Sequence, residues 1–514
     1  MNSGLNSNSG GGFRSRSRKN AGGSAGRTDS SAGRGGAGTT RNPRGGRAKS
    51  GTRYKGGSPI QRDWNFAGID APRRIAFETL QKVTEDDAFA NLVLPKEISR
   101  ARLDTRDAAF ATELTYGTLR SMGQLDVIIS KASTRELSQI SPEVLNALRL
   151  GTYQILYLRV GQHAAVDTTV RLVEATGNIQ AKGFANGIMR TITRTSPEQW
   201  LEQLSPDEEI AALAFRTAHP EWIARSFAKV LPESELEAAL AADSERPVVH
   251  LVARPGEISA EELALISGGE EGKYSPYAVY LESGDPGDLD AVRESLAGVQ
   301  DEGSQLIARA LANAPLQGPD KGRWLDLCAG PGGKAALLGA LARIDGAKVD
   351  AVEISKHRAQ LTLKAVSGQP VKVIVGDGRT ATLSYGDGEY DRILVDAPCS
   401  GLGALRRRPE ARWRKQESDI AELAQLQSEL LTRALKLVRP GGVVIYSTCS
   451  PDLRETRQVV DGVLAKIGSQ LGIKEVDAHA LVEPMEDIGS DLSVQMWPHR
   501  HGTDAMFFAV LERS

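Results

Sequence analysis

The sequence predicts a multidomain chain: a disordered basic tail, an all-α bundle, a small α+β linker module and a doubly wound α/β domain. Three observations predict it. Gly, Ser, Arg and Asn dominate up to about residue 66, capped helical periods follow to about residue 200, and short apolar strand-like runs alternate with helical stretches beyond residue 320. At 514 residues, with 40% hydrophobic and 25% charged residues, the chain is long enough for more than one ordinary core. Three cysteines cannot make a disulfide framework, and the Met1-Asn2-Ser3-Gly4 start lacks the layout of a secretion signal. No apolar run approaches the ~18 residues of a spanning helix. The expectation is a monomeric cytoplasmic protein with no membrane partner and no metal.

The tail comes first. Residues 1–64 carry 13 Lys and Arg against only Asp29 and Asp63, a net +11 within a formal net charge of −2, so the remainder carries −13. A basic arm on an acidic body suits a polyanion, because each Lys or Arg near a phosphate releases counterions. With Phe13 and Tyr54 almost its only large apolar groups, the segment 1–66 buries too little surface to offset the entropy of ordering. Its Arg34-Gly35-Gly36 and Arg44-Gly45-Gly46-Arg47 clusters suit loose RNA contact, with a solubilising tail as the other reading.

Residues 70–200 read as the all-helical domain. Asp70 and Pro72 open a helix with Ala76, Leu80 and Val83 on one face, and Asp104 caps another before Phe110 and Leu114. Ser141-Pro142-Glu143 supplies a cap, a first-turn proline and a dipole-matched acid before Val144, Leu145 and Leu148. His163 stands far from any second His or Cys, so it reads as a surface or packing residue. Residues 205–300 alternate: strands at 248–252 and 278–281, helices at 260–266 and 289–296, hence a small α+β module. In residues 301–514, the runs at 324–328, 349–353, 371–375, 393–396 and 443–447 are buried-type strands of a doubly wound parallel sheet.

The first of these strands runs into Cys328-Ala329-Gly330-Pro331-Gly332-Gly333-Lys334 and then a helix. Glycines here let backbone approach a ligand where a Cβ would intrude. The second strand ends in Glu353, placed to accept from ribose hydroxyls, and the third is followed by Asp377 at the same sheet edge. The loop fits neither dinucleotide nor nucleoside-triphosphate glycine spacing. Two acids at successive strand ends suit a mononucleoside cofactor such as S-adenosylmethionine, with Cys328 a small residue packed under the loop.

The last two strands deliver Asp396-Ala397-Pro398-Cys399-Ser400-Gly401 and Ser447-Thr448-Cys449-Ser450. Carboxyl-end loops of an open parallel sheet line one crevice, so two thiols and a carboxylate should meet there. Methylation of carbon 5 of a pyrimidine uses such a set. A thiolate adds to carbon 6, the ring becomes an enamine that can attack a methyl sulfonium, and a base then strips the carbon 5 proton. Asp396 could hydrogen-bond the cytosine amino group and ring nitrogen. The bland alternative makes both cysteines small buried hydrophobes.

These three motifs, 326–334, 396–401 and 447–450, resemble the signature of RNA cytosine-C5 methyltransferases. The helical region, at 112–120 and 150–154, resembles a NusB-like RNA-binding domain. The combination is similar to bacterial 16S ribosomal RNA methyltransferases of the RsmB (Sun/Fmu) type, and covers everything after residue 70. The resemblance implies a Rossmann-like methyltransferase domain acting on RNA, with small-subunit ribosomal RNA as partner. It implies Cys449 as nucleophile, Cys399 as the group that aids product release, and residues 328–334, Glu353, Asp377 and Asp396 as the S-adenosylmethionine site. The family pattern has Ala at Gly330 and Thr at Ala335, both backbone-compatible departures. Arg406-Arg407-Arg408-Pro409 and Trp413 suit a basic RNA entrance with a stacking ring, or a plain solvated loop. His499, Arg500 and His501 resemble the family's ending and receive no catalytic role.

Two competing readings remain at this level. A DNA cytosine methyltransferase would use the Cys399 position as nucleophile, whereas the second thiol and the NusB-like region favour RNA. A NusB-like RNA-binding or antitermination factor without methyltransferase activity would not need Cys399, Cys449, Asp396 and the glycine loop together.

Overall fold

The computed structural model describes residues 64–514. The expected tail lies outside the described residues except for its last three. Of these, Trp64 and Phe66 pack into the helical domain, their ring centroids 5.3 and 6.2 Å from that of Phe77.

The helical domain contains α1 (Ala71–Glu85), α2 (Ala90–Ala101), α3 (Thr105–Ala132), α4 (Pro142–Tyr157), α5 (Gln162–Ala175), α6 (Lys182–Ile192) and α7 (Pro197–Leu204). Asp70 caps α1 by accepting from the Arg73 amide at 3.0 Å, and Asp104 caps α3 through the Asp107 amide at 2.8 Å. Ser141 stands at the start of α4, yet its buried hydroxyl makes no capping bond; Pro142 and Glu143 are the start signals that operate there. Phe77, Leu80, Leu114, Leu148 and Leu172 fill the core between these helices.

In the next segment, α8 (Glu209–Arg216), α9 (Glu221–Phe227) and α10 (Glu233–Ala242) form a helical layer ahead of any strand. Their apolar faces, with Leu213, Ile223, Phe227 and Leu240, share a core with Leu402, Leu405 and Trp497 of the last domain. The α+β part then follows: β1 (Val249–Ala253), α11 (Ala260–Ser267), β2 (Glu270–Glu271), β3 (Ala278–Leu281), α12 (Asp290–Arg293) and β4 (Ala297–Val299). They make an antiparallel sheet in the order β2-β3-β1-β4. The helix expected at 289–296 is shortened to α12, because Ser295 turns at a φ of 65° and the chain leaves to pair β4 with β1.

The last domain comprises α13 (Glu302–Asn313), β5 (Arg323–Asp326), α14 (Gly333–Asp345), β6 (Lys348–Glu353), α15 (Lys356–Ala365), β7 (Val371–Val375), β8 (Tyr390–Asp396), α16 (Ala411–Arg414), α17 (Asp419–Leu437) and β9 (Val438–Thr448). It ends with α18 (Arg457–Val463), α19 (Ser469–Leu471), β10 (Ile473–Val476), β11 (Val494–Gln495), α20 (Pro498–His501) and β12 (Phe507–Arg513). The sheet order is β10-β12-β9-β8-β5-β6-β7, with β11 on β12. All five expected strands are present and parallel to one another. The sheet as a whole is mixed, since β12 lies antiparallel to β9 and β10 antiparallel to β12. The run Phe507 to Leu511 is apolar on both faces and buried, so it is stable only inside a sheet.

Helices α13 and α14 cover one face, and α17 and α18 the other. Strand order reverses between β5 and β8, which opens a crevice at their carboxyl ends. Among the described residues, no helix is long and apolar enough to cross a membrane.

Candidate active site

The site grows from the carboxyl ends of five adjacent strands. After β5, the chain turns through Cys328 and Ala329, whose amide donates to Val352 of β6 at 2.8 Å, and enters α14 at Gly333. Gly332 sits at a φ of 101°, a conformation that favours glycine. A Cβ there would lie 2.8 Å from the Thr362 Cα on α15, so Gly332 is required by helix packing, not by ligand approach. Gly330 is the reverse case: its φ is 58° and a Cβ would meet no atom within 4 Å. Thr362 also pins the loop by donating to the Gly330 carbonyl at 2.8 Å.

The acids expected to hold a ligand are themselves held. Glu353, buried at the end of β6, accepts from the Ser355 amide at 2.6 Å and from the Arg358 guanidinium at 2.8 Å. Asp377 accepts from Arg379 through its amide at 2.9 Å and its guanidinium at 2.6 Å, and Arg379 reaches on to Glu429 at 2.6 Å. Those hydrogen bonds hold Asp377 below its ordinary range. Asp326, beneath the glycine loop, is fully buried, and its Oδ2 has no partner. Burial, with the Asp396 charge second, pushes Asp326 up to about 7. A crevice with two oriented carboxylates, an unpartnered buried oxygen and an open glycine fits a cationic mononucleoside such as S-adenosylmethionine. Cys328 lies against the core under this loop, and burial among four acids raises its thiol far above the usual range.

The two cysteine loops meet beside the crevice. Cys399 Sγ and Cys449 Sγ are 3.3 Å apart. Asp396, at the end of β8, accepts from Lys334 Nζ at 2.9 Å and from Ser447 Oγ at 3.1 Å. Burial alone would lower Lys334, but the charge and hydrogen bond of Asp396 outweigh it and hold the ammonium form. Cys449 is shifted down, chiefly by its hydrogen bond with Cys399, with Lys334 and Arg408 adding to it against burial and Asp396. Cys399 is shifted up, by that same bond first and then by burial. Of the two, Cys449 is the thiol shifted toward the thiolate, which is the nucleophilic form. Lys334, on the loop expected to hold the cofactor, turns its ammonium to Asp396.

Several residues of this centre carry no sequence signal. Glu455, fully buried, accepts from the Ser400 amide at 2.8 Å, from Gln427 Nε2 at 3.0 Å and from the Ser400 hydroxyl. Ser400 Oγ lies 3.1 Å from Ser450 Oγ, and Gln427 also donates to the Pro398 carbonyl at 2.9 Å. An acid six residues beyond a cysteine has no periodicity to betray it; only the distance between the loops reveals its place.

The basic loop after Cys399 is not an RNA entrance lined by a free ring. Arg406 and Arg407 pair with Asp504 at 3.0 and 2.9 Å, and Arg407 also with Asp301 at 2.8 Å. Arg412 is fully buried and donates to the carbonyls of Ala218 at 2.8 Å and Asp243 at 3.0 Å. Trp413 packs on Gly123 of α3, where an added Cβ would clash with the ring. Arg408 lies over the Phe89 ring at 6.0 Å. Except for exposed Arg408, these cations satisfy backbone and acids at the junction of the domains, which is why a run of arginines misreads as a surface patch. His499 and Arg500 likewise pair with Glu235 of α10 at 2.9 and 2.7 Å, and His163 is exposed.

Comparison with known proteins follows the same division. The family described as 16S rRNA methyltransferase RsmB/F matches residues 314–512, and the NusB family matches residues 70–194. A Mycobacterium tuberculosis protein named provisionally as a methyltransferase is 53% identical over 451 residues, covering 87% of this chain and 97% of that relative. The ribosomal RNA small subunit methyltransferase B of Enterobacter sp. (strain 638) is 33% identical over 402 residues, covering 77% and 90%. The crystal structure of PH0851 superposes with a TM-score of 0.74 at 23% identity, over 86% of this chain and 98% of that one, a likeness of fold.

Proposed function

The chain belongs to the RsmB/F family of 16S rRNA methyltransferases, and from that premise we propose that it methylates carbon 5 of a cytosine in small-subunit ribosomal RNA through a covalent bond between Cys449 and carbon 6. Residues 328–334, Glu353, Asp377 and Asp396 would hold S-adenosylmethionine, which would supply an electrophilic methyl group. The observation that carries the reading is the 3.3 Å thiol pair beside the Asp396–Lys334 ion pair. A cytosine-C5 enzyme needs an attacking thiolate, a second proton-handling group and an acid for the base edge, and these four side chains supply them.

Cys449 enters as the thiolate and adds to carbon 6. Asp396, fixed by Lys334 and Ser447, accepts from the cytosine amino group and so orients the ring. Once bonded to carbon 6, Cys449 no longer accepts the hydrogen bond from Cys399. Cys399 loses its proton to water and becomes the base within reach of carbon 5. Carbon 5, made nucleophilic by the addition, takes the methyl group while the donor sulfur keeps the electron pair of the broken bond; when Cys399 then takes the carbon 5 proton, the carbon–carbon double bond re-forms and the sulfur–carbon electron pair returns to Cys449. The pair ends as it began, one thiol and one thiolate.

The NusB-like helices and the basic arm at 1–64 hold the RNA, the arm through phosphates alone. Bisulfite sequencing of 16S ribosomal RNA from cells with and without the gene tests the proposal. One protected cytosine should become convertible when the gene is absent. An unchanged pattern contradicts the reading.

A further inference from the structure

Two thiols in contact pose a question of assignment, since either could hold the proton they share. The groups around them are not symmetric. Cys449 faces Lys334 and Arg408, with Asp396 opposing them. Cys399 faces Cys449 and the Glu455 carboxylate. Among the described residues, Glu455 has no Lys or Arg partner; its oxygens are met by Ser400, twice, and by Gln427. Its backbone carbonyl also accepts from the Tyr446 hydroxyl at 2.6 Å, so the residue is fixed at both ends.

A buried carboxylate left without a cation is costly unless it is fully hydrogen-bonded. Three donors provide that here, and the charge that remains is directed at its neighbours. Ser400 follows Cys399 in the chain and Ser450 follows Cys449, and the two serine hydroxyls lie 3.1 Å apart. Through Ser400 the carboxylate therefore fixes one cysteine loop against the other.

Building on the function proposed above, we propose that Glu455 is a positioning residue for the reaction: it clamps the Cys399 loop to the Cys449 loop and keeps their shared proton on Cys399. Its charge raises the cost of a thiolate at Cys399, while at Cys449 Lys334 and Arg408 lower that cost against the opposing charge of Asp396. The nucleophile is thus chosen by an acid beside Cys399 and two cations beside Cys449.

Glu455→Gln separates charge from geometry. The amide oxygen can stand where Oε1 accepts from the Ser400 amide and Gln427. The amide nitrogen can then donate to Ser400 Oγ, whose hydroxyl turns to Ser450. The clamp survives and the charge is gone. Ser400→Ala does the opposite, removing one strut and keeping the charge.

The test is alkylation of the full-length protein by iodoacetamide across pH 6–9, with each cysteine followed by peptide mass spectrometry and the fold checked by circular dichroism. Each unit of thiol pKa is about tenfold in thiolate fraction. In the wild type, Cys449 should react about tenfold or more faster than Cys399. Glu455→Gln should shrink that ratio several-fold by accelerating Cys399, whereas Ser400→Ala should leave it within about twofold. An unchanged ratio in folded Glu455→Gln, an equal collapse in Ser400→Ala, or a wild type in which Cys399 reacts faster would each overturn the proposal. Alkylation needs neither RNA nor methyl donor, so a wild type that alkylates as expected but methylates nothing would count against the proposed function alone.

Discussion

The indole Nε1 of Trp413 donates to the carbonyl oxygen of Leu119 at 2.7 Å, joining the loop that follows Cys399 to helix α3. The ring fills the space left by Gly123, so the contact combines a hydrogen bond with close packing. Arg414 extends the same strap by donating to the Ala88 carbonyl at 2.7 Å. The helical domain is thereby fastened to the segment that carries one of the two reactive thiols.

Trp413→Ala should therefore act on stability. Loss of the ring and its bond costs roughly 3 kcal/mol, the low end for a tryptophan because this one is only partly buried. Thermal unfolding should begin earlier and lose cooperativity between the two domains. An unchanged melt with weakened RNA binding would restore the stacking role that the sequence suggested.

The glycine loop makes a paired prediction. Gly332→Val forces a Cβ against the backbone of α15 at a positive φ, and should cost roughly 2–4 kcal/mol in denaturant unfolding. Gly330→Ala, with open space around its Cβ, should cost about 1 kcal/mol for the left-handed conformation. Equal effects at the two positions would show that the packing distinction is wrong.

Asp326 predicts a pH dependence. Burial pushes its carboxyl up from an ordinary 3.8 to about 7, so the folded state holds a proton that the unfolded chain gives up. The stability tied to that proton is intact in acid and is lost as pH rises from about 4 to about 7. Asp326→Asn removes this loss. Relative to wild type, the variant should gain a few kcal/mol across that window and change no further above it. A difference that stays constant from pH 4 to pH 8 would contradict the assignment.

Much of this was legible because local signals and global fold agree. The caps at Asp70 and Asp104 and the apolar runs at β5 to β9 each report on their own element, and the strand ends then bring Glu353, Asp377, Asp396, Cys399 and Cys449 to one edge. What stayed hidden depends on partners far away in sequence. Arg412 meets the carbonyl of Ala218, 194 residues earlier, so its burial leaves no trace in its neighbours. Ser226 donates to Asp452 at 2.8 Å across 226 residues, tying α9 to the Cys449 loop. Strand β12 carries no such signal because its apolar run 507–511 has no period to set its direction or its place in the sheet.

The central claim is that Cys449 attacks and Cys399 releases. Cys449→Ala and Cys399→Ala, each incubated with S-adenosylmethionine and small-subunit ribosomal RNA and run on a denaturing gel, test it most directly. Cys449→Ala should form no covalent adduct and leave methylation at background. Cys399→Ala should still attack and methylate but fail to eliminate, so that it accumulates as a protein–RNA species stable to denaturation. An adduct from Cys449→Ala and none from Cys399→Ala would contradict the account.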